Sequence, residues 1–421
     1  MKAKVAFWRR SVLWQLFKRR QAVAGVLEGI KILELAQAWA APGAVMYLAD
    51  QGAQVIKVEP LAGDEARRFF VGAPLGGEDR GFLVLNRNKR SIAVDIRQPR
   101  GLEIVHRLLA GSDVFIHNFR PGVSEKLGLG YQKVRALHPR VIYVHLTPFG
   151  LKGPLAQMPA YDLVTQALAG VMHRRDHQGR PIPAGIWVAD CSTAMMLAYA
   201  ITLGLYARER TGKGQKVEAT LVNQALAMQI VDLVRSTQEL KKAAETYPIQ
   251  HYIPYRCQDG QYIIQVAVTN DQWARVCGVL GLEHMAQDPE LDSALKRARR
   301  GRDLVPILEA VFETRPRDEW DRLLTEADVP HAPILSRDEV FNHPQFLAND
   351  IIVEVEHPKA GKVKMVGIPF RITDHPGKIR TPAPGVGEHT QEVLRELGYP
   401  SKEIGKLAQE GIVGLAAPAG D

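Results

Sequence analysis

The main sequence pattern begins with a strand, a helix and a second strand in direct succession. Apolar runs at residues 30–35 and 54–59 predict two buried strands. Residues 42–51 between them predict a helix, with Pro42 in its first turn, where the missing N–H costs nothing. Strands joined through a helix lie parallel, because a tight turn cannot return the chain to the same end of a sheet. This unit therefore predicts a parallel sheet covered by helices.

Strands and helices keep alternating through the first half of the chain, as in a doubly wound α/β domain. Further strands are predicted at 91–96, 113–117, 141–146 and 215–220, and helices at 100–110, 131–137, 161–171, 191–210 and 221–235. The pattern changes near residue 247, which indicates a smaller α+β domain. Its predicted elements are a strand at 262–268 and helices at 271–280 and 302–312. The last ninety residues predict a hairpin at 351–356 and 361–366 and a final helix at 388–397.

The positive charge of the chain is concentrated at its start. Seven of the 54 basic residues and none of the 46 acidic ones precede Glu28, so the remainder is nearly neutral. We therefore expect no nucleic-acid binding by the main fold. Residues 1–20 also carry aromatic and aliphatic side chains and could form an amphipathic helix at a membrane surface. Because chain termini are usually poorly ordered, we favour a different interpretation: a loose extension, or a helix docked on a partner chain.

The sequence lacks the usual motifs for dinucleotide, phosphate and metal binding. The turn after the first strand contains one glycine, Gly43, and bulky Gln37 and Trp39, so it cannot bring its backbone close to a pyrophosphate as GxGxxG does. The three cysteines form no CxxC pair, which gives no support for a metal site or a disulfide framework. We expect a cytoplasmic protein with no permanently bound cofactor and no metal.

Seven ordered stretches resemble one family. They are LEGIKILEL at 27–35, ADQGAQVIKVEP at 49–60, NRNKRSIAVDI at 86–96, HNFRPGVSEKLGLG at 117–130, YDLVTQALAGVM at 161–172, ERTGKGQKVEATL at 209–221 and GEHTQEVLRELGY at 387–399. Together they resemble the family III CoA-transferases, the CaiB/BaiF group that includes formyl-CoA transferase. The resemblance covers residues 27–415, and the basic extension lies outside it.

The resemblance implies a Rossmann-like large domain, a smaller domain and a C-terminal segment that returns to the large one. It also implies a homodimer whose two chains interlock, with a heteromer as the alternative assembly. Combined with the predicted elements, it divides the chain into an extension at 1–26, a large domain at 27–237, a linker at 238–246, a small domain at 247–333 and a returning segment at 334–421.

The family's nucleophile is an aspartate just before the long helix, and Asp190 occupies that position. On sequence physics alone the favoured interpretation is a helix N-cap, since aspartate accepts hydrogen bonds from the first backbone N–H groups. The two roles are compatible. A helix N-terminus favours negative charge, so Asp190 is expected to stay ionised at neutral pH, and the same N–H groups could steady an oxyanion.

The resemblance implies covalent catalysis through Asp190. The carboxylate attacks a donor acyl-CoA, for which succinyl-CoA is expected, and forms an aspartyl anhydride, which CoA converts into an aspartyl-CoA thioester. A small carboxylic acid then accepts the CoA through a second anhydride. The substrates are therefore CoA thioesters and carboxylic acids, and no other cofactor is required.

Tyr161 stands where the family's α-methylacyl-CoA racemases have a histidine. A tyrosine with an ordinary pKa near 10 is a poor base at neutral pH, which disfavours the alternative of a racemase. A packed aromatic side chain is the simpler interpretation of Tyr161 itself. A third alternative is a non-catalytic subunit of a heteromeric transferase, and the presence of Asp190 argues against it.

Contacts to CoA carry over from the family by position. The matching residues are Ala38, Trp39, Ala40, Val94, Asp95, Ile96, Arg97, Asn118, Phe119, Lys126, Met158, Pro159 and Ala160, followed by Tyr161. Arg97 and Lys126 suit phosphates as cations, although each alone is more often a solvated surface charge.

Three departures argue against formate and oxalate as the substrates. Trp39 replaces a glutamine of formyl-CoA transferase, Pro60 replaces an arginine, and the glycine-rich loop expected near 245–258 is missing. A charged loop before Asp190, with Arg174, Arg175 and His177, could bind a second carboxylate, but a solvated loop is the favoured interpretation.

Overall fold

The computed structural model describes residues 25–69, 72–234 and 252–416. Most of the basic extension, including the proposed membrane-contact segment, lies outside the described residues, as do the linker at 238–246 and much of the 245–258 stretch. The chain forms two compact units. One comprises the described residues up to Val234 together with those from Asn349 onward, and the other comprises the described residues within Arg235–Ala348.

The larger unit is built on a seven-stranded sheet. Its strands are β1 (Lys31–Glu34), β2 (Gln54–Glu59), β3 (Lys89–Val94), β4 (Val114–His117), β5 (Ile142–Thr147), β6 (Lys216–Thr220) and β12 (Val413–Gly414). The spatial order is β12-β3-β2-β1-β4-β5-β6, and every pair is parallel except β12 with β3. The first six strands thus follow the Rossmann order, which confirms the α/β prediction.

Helices cover both faces of this sheet. They are α1 (Ala40–Asp50), α2 (Arg80–Leu85), α3 (Pro99–Ala110), α4 (Val123–Lys126), α5 (Tyr131–Leu137), α6 (Asp162–Leu168), α7 (Val188–Thr211), α8 (Leu221–Ala227), α16 (Thr390–Glu396) and α17 (Ser401–Gln409). One core joins the sheet to α3, α16 and α17, and the other joins it to α1 and α7. The hairpin β10 (Ile352–His357) and β11 (Gly361–Val366) is antiparallel, as predicted.

The smaller unit combines a three-stranded antiparallel sheet with helices. Its strands are β7 (Tyr255–Arg256), β8 (Tyr262–Gln265) and β9 (His331–Pro333), in that spatial order. Its helices are α9 (Asn270–Leu280), α10 (Glu283–Ala286), α11 (Ala294–Arg299), α12 (Gly301–Phe312), α13 (Arg317–Glu326), α14 (Arg337–Val340) and α15 (Pro344–Ala348). β8 is shorter than predicted because its partner β9 supplies only three residues to the ladder.

Between its first and last turns, helix α7 carries mostly apolar side chains and no charged ones. Leu197, Ile201 and Leu205 are buried against the sheet, whereas Tyr199 and Tyr206 on the other side are about 60% exposed. By length and composition alone α7 could cross a membrane. Half of its most apolar stretch is buried in the fold, which is equally typical of a core helix. The apolar side chains on the side of α7 that carries Tyr199 and Tyr206 stay exposed among the described residues.

Helices α1 and α7 pack closely because Gly43 has no side chain. A Cβ at position 43 would lie 2.9 Å from the Cβ of Ala194 and 3.4 Å from Leu85. Both helices begin at the functional cleft described below. Their separation therefore sets the position of Trp39 before α1 relative to Asp190 in α7.

We predict that Gly43→Ala lowers the free energy of unfolding by about 1–2 kcal/mol, because overpacking outweighs the better helix propensity of alanine. Urea unfolding measures the change. Gly405→Ala is the matched control, since Gly405 lies inside α17 with open space at its Cβ position. It should stabilise the protein by about 0.5–1 kcal/mol, and equal behaviour of the two variants would contradict the close approach of α1 and α7.

Candidate active site

A cleft of about 670 Å³ opens at the carboxyl ends of β1, β4 and β5. The strand order reverses between β1 and β4, and ligands of open α/β sheets bind at such a switch point. The turns after these strands, the segment before α6 and the start of α7 form its walls. The lining includes the predicted residues Ala38, Trp39, Ala40, Asn118, Phe119, Met158, Pro159, Ala160, Tyr161 and Asp190.

The turn after β1 is fixed by buried charges behind it. Ala38 has a left-handed backbone, with φ of 68°, and its N–H donates to Oδ1 of Asp64 over 3.1 Å. Nζ of Lys57 donates to the carbonyl of Ala36 and lies 2.8 Å from Asp64. Burial raises the pKa of Asp64, but the charge of Lys57 and backbone N–H donors outweigh it and hold this pKa below its usual range.

The turns after β1 and β4 are joined by one side chain. The amide of Asn118 accepts a hydrogen bond from the N–H of Gln37 over 3.1 Å and donates to its carbonyl over 2.9 Å. This pair of bonds reproduces a backbone ladder across the gap between the two strands. The two walls of the cleft therefore form a single connected frame.

Asp190 is the third residue of α7, which begins at Val188. The N-cap interpretation is therefore wrong: Trp187 occupies the cap, and its side chain accepts no cap hydrogen bond. The N–H of Asp190 donates to Oδ2 of Asp162 over 2.9 Å, and that of Val188 donates to the carbonyl of Ile186. Both N–H groups are engaged and are not free to steady an oxyanion.

The carboxyl group of Asp190 lies in an unfavourable place for a negative charge. Burial and then the neighbouring Asp162 raise its pKa to about 7. Across the described residues, no hydrogen-bond donor contacts this carboxyl group. The expectation of a fully ionised Asp190 at neutral pH is therefore corrected: desolvation and a like charge outweigh the helix dipole.

Asp162 is a site residue that sequence reasoning missed. It is the first residue of α6 and is only 1% exposed. The side-chain amide of Gln166 donates to its Oδ1 and to the carbonyl of Ile186. In sequence, Asp162 is an acidic residue in the first turn of a helix, which helix propensity explains without a site. Its contact with Asp190 spans 28 positions and leaves no local signal.

Tyr161 immediately precedes α6, and its ring is 60% exposed at the cleft. Its hydroxyl donates weakly to the carboxylate of Glu65 at 3.4–3.5 Å. Burial and the charge of Glu65 raise the pKa of Tyr161 above its ordinary value. The hydroxyl therefore keeps its proton at neutral pH.

Aromatic rings form one side of the cleft. Trp39 meets Trp187 edge-on with ring centroids 5.1 Å apart, and lies 6.4 Å from Phe69. Phe69 in turn meets the ring of Tyr161 at 6.1 Å. Offset and edge contacts of this kind suit aromatic quadrupoles. Trp39, the departure noted in the sequence, is therefore the central ring of an apolar wall.

Five predicted contact residues do not line the cleft: Val94, Asp95, Ile96, Arg97 and Lys126. The side chain of Val94 is fully buried in the core, so only its backbone could reach a ligand. Arg97 pairs with Asp95 over 2.8 Å at the surface. The roles of these five residues stay predictions.

The charged loop before α7 also stays outside the cleft lining. Arg174, Arg175 and His177 are exposed, and Arg175 donates to the carbonyl of Met172. Arg120, by contrast, lines the cleft and was not singled out, although it belongs to the quoted HNFRPG stretch. Within the described ranges, no group of three His, Cys, Asp or Glu side chains could hold a metal ion.

Comparison with known proteins finds CoA-transferases and a CaiB/BaiF family structure that are similar over most of this chain. Succinyl-CoA:glutarate CoA-transferase from Homo sapiens is 35% identical over 396 residues, which cover 92% of this chain and 90% of that protein. Formyl-CoA:oxalate CoA-transferase from Streptomyces coelicolor is 31% identical over 93% of this chain and 100% of its own length. A solved CaiB/BaiF family structure from Brucella suis matches with a TM-score of 0.77 and 31% identity, over 89% of this chain and 100% of that one.

The model of CoA-transferase family III matches residues 27–390. The chain belongs to this family. The resemblance inferred from seven stretches is thereby confirmed, and with it the enzyme class of a CoA-transferase, whose substrates are CoA thioesters.

The raised pKa of Asp190 predicts a pH-dependent cost in stability. Between about pH 4 and pH 7 the folded protein holds a proton on Asp190 that the unfolded chain has released, so stability falls as pH rises through this range. Asp190→Asn should therefore raise the free energy of unfolding relative to the wild type on the order of 1 kcal/mol at pH 8, and less at pH 5. Urea unfolding at both pH values measures the difference.

Glu103→Gln serves as the control, because it removes a carboxylate that is 53% exposed on α3. It should leave the pH dependence of stability as it is in the wild type. A gain for Asp190→Asn that is equal at pH 5 and pH 8 would mean that Asp190 is not held in its protonated form.

Proposed function

We propose that this protein transfers CoA from an acyl-CoA donor to a carboxylic acid, with Asp190 as the nucleophile. The observation that carries the proposal is a half-buried carboxyl group at a switch-point cleft with a pKa raised to about 7. A carboxylate held in this way is poorly solvated, which favours attack on a carbonyl. Its proton can be lost at neutral pH.

The first half of the reaction makes the protein-bound thioester. The ionised carboxylate of Asp190 attacks the thioester carbonyl, the C–S bond breaks, and CoA leaves as a thiolate. The thiolate then attacks the aspartyl carbonyl of the mixed anhydride. This step releases the donor acid as its carboxylate and leaves CoA bound to Asp190.

The second half repeats these steps with the acceptor. The acceptor carboxylate attacks the aspartyl-CoA thioester and releases the CoA thiolate, giving a new anhydride. The thiolate attacks the acceptor carbonyl, which yields the product thioester and restores Asp190. One thioester replaces another, so no net redox change or external energy source is needed.

Asp162 influences the charge state of this nucleophile. Burial is the main cause of the raised pKa of Asp190 and Asp162 adds to it, while Oδ2 of Asp162 accepts a hydrogen bond from the Asp190 N–H and holds the start of α7. The acylation rate should therefore rise with pH up to about 7 and level off above it. Asp162 acts here as a positioning residue.

For the substrates we propose succinyl-CoA as donor and a small carboxylic acid as acceptor. The similarity to a succinyl-CoA:glutarate CoA-transferase supports this donor. The apolar wall around Trp39 disfavours formate and oxalate, which have no apolar surface to bury. We also propose a cytoplasmic location, in line with three free cysteines.

A racemase is disfavoured by the same geometry. It needs a second acid or base beside the aspartate, and Tyr161 holds its proton and contacts Glu65. A non-catalytic partner subunit would not need a perturbed carboxyl group. The following test distinguishes a transferase from a racemase and from a non-catalytic subunit.

Mass spectrometry after incubation with succinyl-CoA should find a CoA adduct on the Asp190 peptide, and one particular acid should discharge it. Asp190→Asn should lose the adduct and reduce turnover at least 10³-fold, because the covalent route is closed, while binding CoA nearly as the wild type does. Asp176→Asn, in the loop before α7, is the matched control and should keep both adduct and turnover.

Turnover by Asp190→Asn near the wild-type rate would contradict the proposal. Deuterium incorporation at the α-carbon of an acyl-CoA without any acceptor would instead indicate a racemase. Inactivity that a second gene product rescues would indicate a heteromeric enzyme.

We further propose that two copies of this chain form a homodimer, with the apolar side of α7 as part of the interface. Met195, Tyr199, Leu203 and Tyr206 repeat at helical spacing on this side and are 48–61% exposed. A contiguous apolar stripe of this size usually marks an interface. The start of the same helix lines the cleft.

We predict that Tyr199→Glu with Leu203→Glu halves the mass of the assembly in light scattering, because two buried like charges on each copy oppose association. Lys133→Glu, on the outer side of α5, is a charge-change control and should leave the mass unchanged. A wild-type protein that is monomeric at micromolar concentration would contradict the dimer.

A further inference from the structure

Two histidines lie side by side beneath one wall of the cleft. His117 ends β4 and pairs in register with His145 of β5. Their side chains are 0% and 5% exposed, and the ring centroids are 4.3 Å apart. Neither residue lines the cleft, and the reaction proposed above makes no use of either.

Both histidines hold the backbone of the same residue. The N–H of Phe119 donates to Nδ1 of His117 over 3.3 Å, and Nε2 of His145 lies 2.8 Å from the carbonyl of Phe119. The ring of Phe119 also stacks on that of His117, with centroids 5.1 Å apart and planes at 25°. Each polar backbone group of Phe119 thus has an imidazole as its partner.

The hydrogen-bond network assigns the protons. Because Nδ1 of His117 accepts from Phe119, its Nε2 carries the hydrogen and donates to the hydroxyl of Tyr143 over 2.7 Å. The hydroxyl of Tyr143 in turn donates a hydrogen bond to the carbonyl of Leu129 over 3.1 Å. His145 must carry its hydrogen on Nε2 to donate to Phe119. Every bond in this chain has one donor and one acceptor when both imidazoles are neutral.

The surroundings favour neutral rings. Burial first, then His145 and Lys216, hold the pKa of His117 well below its ordinary value. Burial also lowers the pKa of His145, although the hydrogen bond to the Phe119 carbonyl, Glu125 and Glu218 oppose this and Lys216 adds to it. The titratable groups facing the pair come from β5, β6 and α4, and burial outweighs those that favour a charged ring, so the imidazoles are uncharged at neutral pH.

The Phe119 backbone leads directly to the cleft. The ring of Phe119 lines it, and the preceding Asn118 makes both hydrogen bonds to Gln37 of the opposite wall. A shift of the Phe119 peptide would move the amide of Asn118 and open the frame between β1 and β4. The histidines therefore act on the cleft through the backbone of Phe119 and through the adjacent Asn118, which binds Gln37.

We propose that His117 and His145 are positioning residues that fix the Asn118–Phe119 turn and thereby set the affinity of the cleft for CoA. The inference rests on the proposed function, because it takes CoA as the ligand of this cleft. The chemistry of transfer at Asp190 does not depend on the imidazoles, so their loss should act on CoA binding more than on the rate of the bound complex.

The test compares isosteric pairs of variants. His145→Gln keeps an N–H donor near the position of Nε2, whereas His145→Met has similar length and no donor. Calorimetric titration with free CoA should give a dissociation constant about tenfold higher for His145→Met and within about twofold of wild type for His145→Gln. In steady-state assays, KM for the CoA thioester should rise in the same order, with kcat changed by less than about threefold.

A second pair tests the other imidazole. His117→Asn keeps an acceptor near Nδ1 for the N–H of Phe119, whereas His117→Leu has the same branching and no acceptor. CoA affinity should again fall further in the apolar variant. Thermal melts of all four variants identify any that are partly unfolded at the assay temperature. The fraction of each protein that forms the CoA adduct measures its active fraction, and the rates are corrected for it.

Three outcomes are distinguishable. Rescue of CoA affinity by Gln and Asn, but not by Met and Leu, supports the inference. Lower melting temperatures with unchanged dissociation constants would overturn it, because the histidines would then serve folding alone. A wild-type protein that binds no CoA would contradict the proposed function instead, before any variant is compared.

Discussion

A buried network of charges formed by side chains of β1, β2, β3 and the turn after β2 is the constraint on which the rest of the site depends. Glu34, Lys57, Asp64 and Lys89 have essentially no exposed side chain, and Glu34 bridges the two lysines. An unpaired charge here would cost several kcal/mol, so any register that separates the partners is strongly disfavoured. Burial lowers the pKa of Lys57, but three nearby carboxylates outweigh it and the net shift is upward. For Lys89, burial together with repulsion by Lys57 outweighs Glu34 and lowers the pKa to about 8.

This network reaches the cleft through backbone atoms. Lys57 and Asp64 hold Ala36 and Ala38, and the intervening Gln37 is held from the opposite strand by Asn118. A left-handed alanine costs free energy and persists only where its surroundings determine it. In dinucleotide-binding proteins, the GxGxxG turn lets the backbone approach a phosphate. Here the same turn is instead held by ion pairs and places a tryptophan, Trp39, in the lining of the cleft.

The sequence predicted the sheet well because apolar runs record burial directly. The strand at residues 54–59 and the hairpin strand at 361–366 have the predicted bounds. Helix α17 and strand β12 were not predicted, since their apolar residues are few and find partners some 300 positions earlier, as Val413 does with Val94. The same limit applies at the site. Asp190 followed from its place in a family pattern, but Asp162 and the two histidines depend on contacts that only the folded chain creates.

The start of α7 was misplaced by three residues, and the error is informative. Aspartate is so favourable as an N-cap that the sequence predicted a helix beginning after Asp190. In the fold, Asp190 lies inside the first turn, and within the described residues its carboxyl group accepts no hydrogen bond from a backbone N–H. Accepting such bonds as a cap would have lowered its pKa. Its position inside the first turn, desolvated and beside Asp162, instead makes the charged form less stable and raises its pKa to about 7.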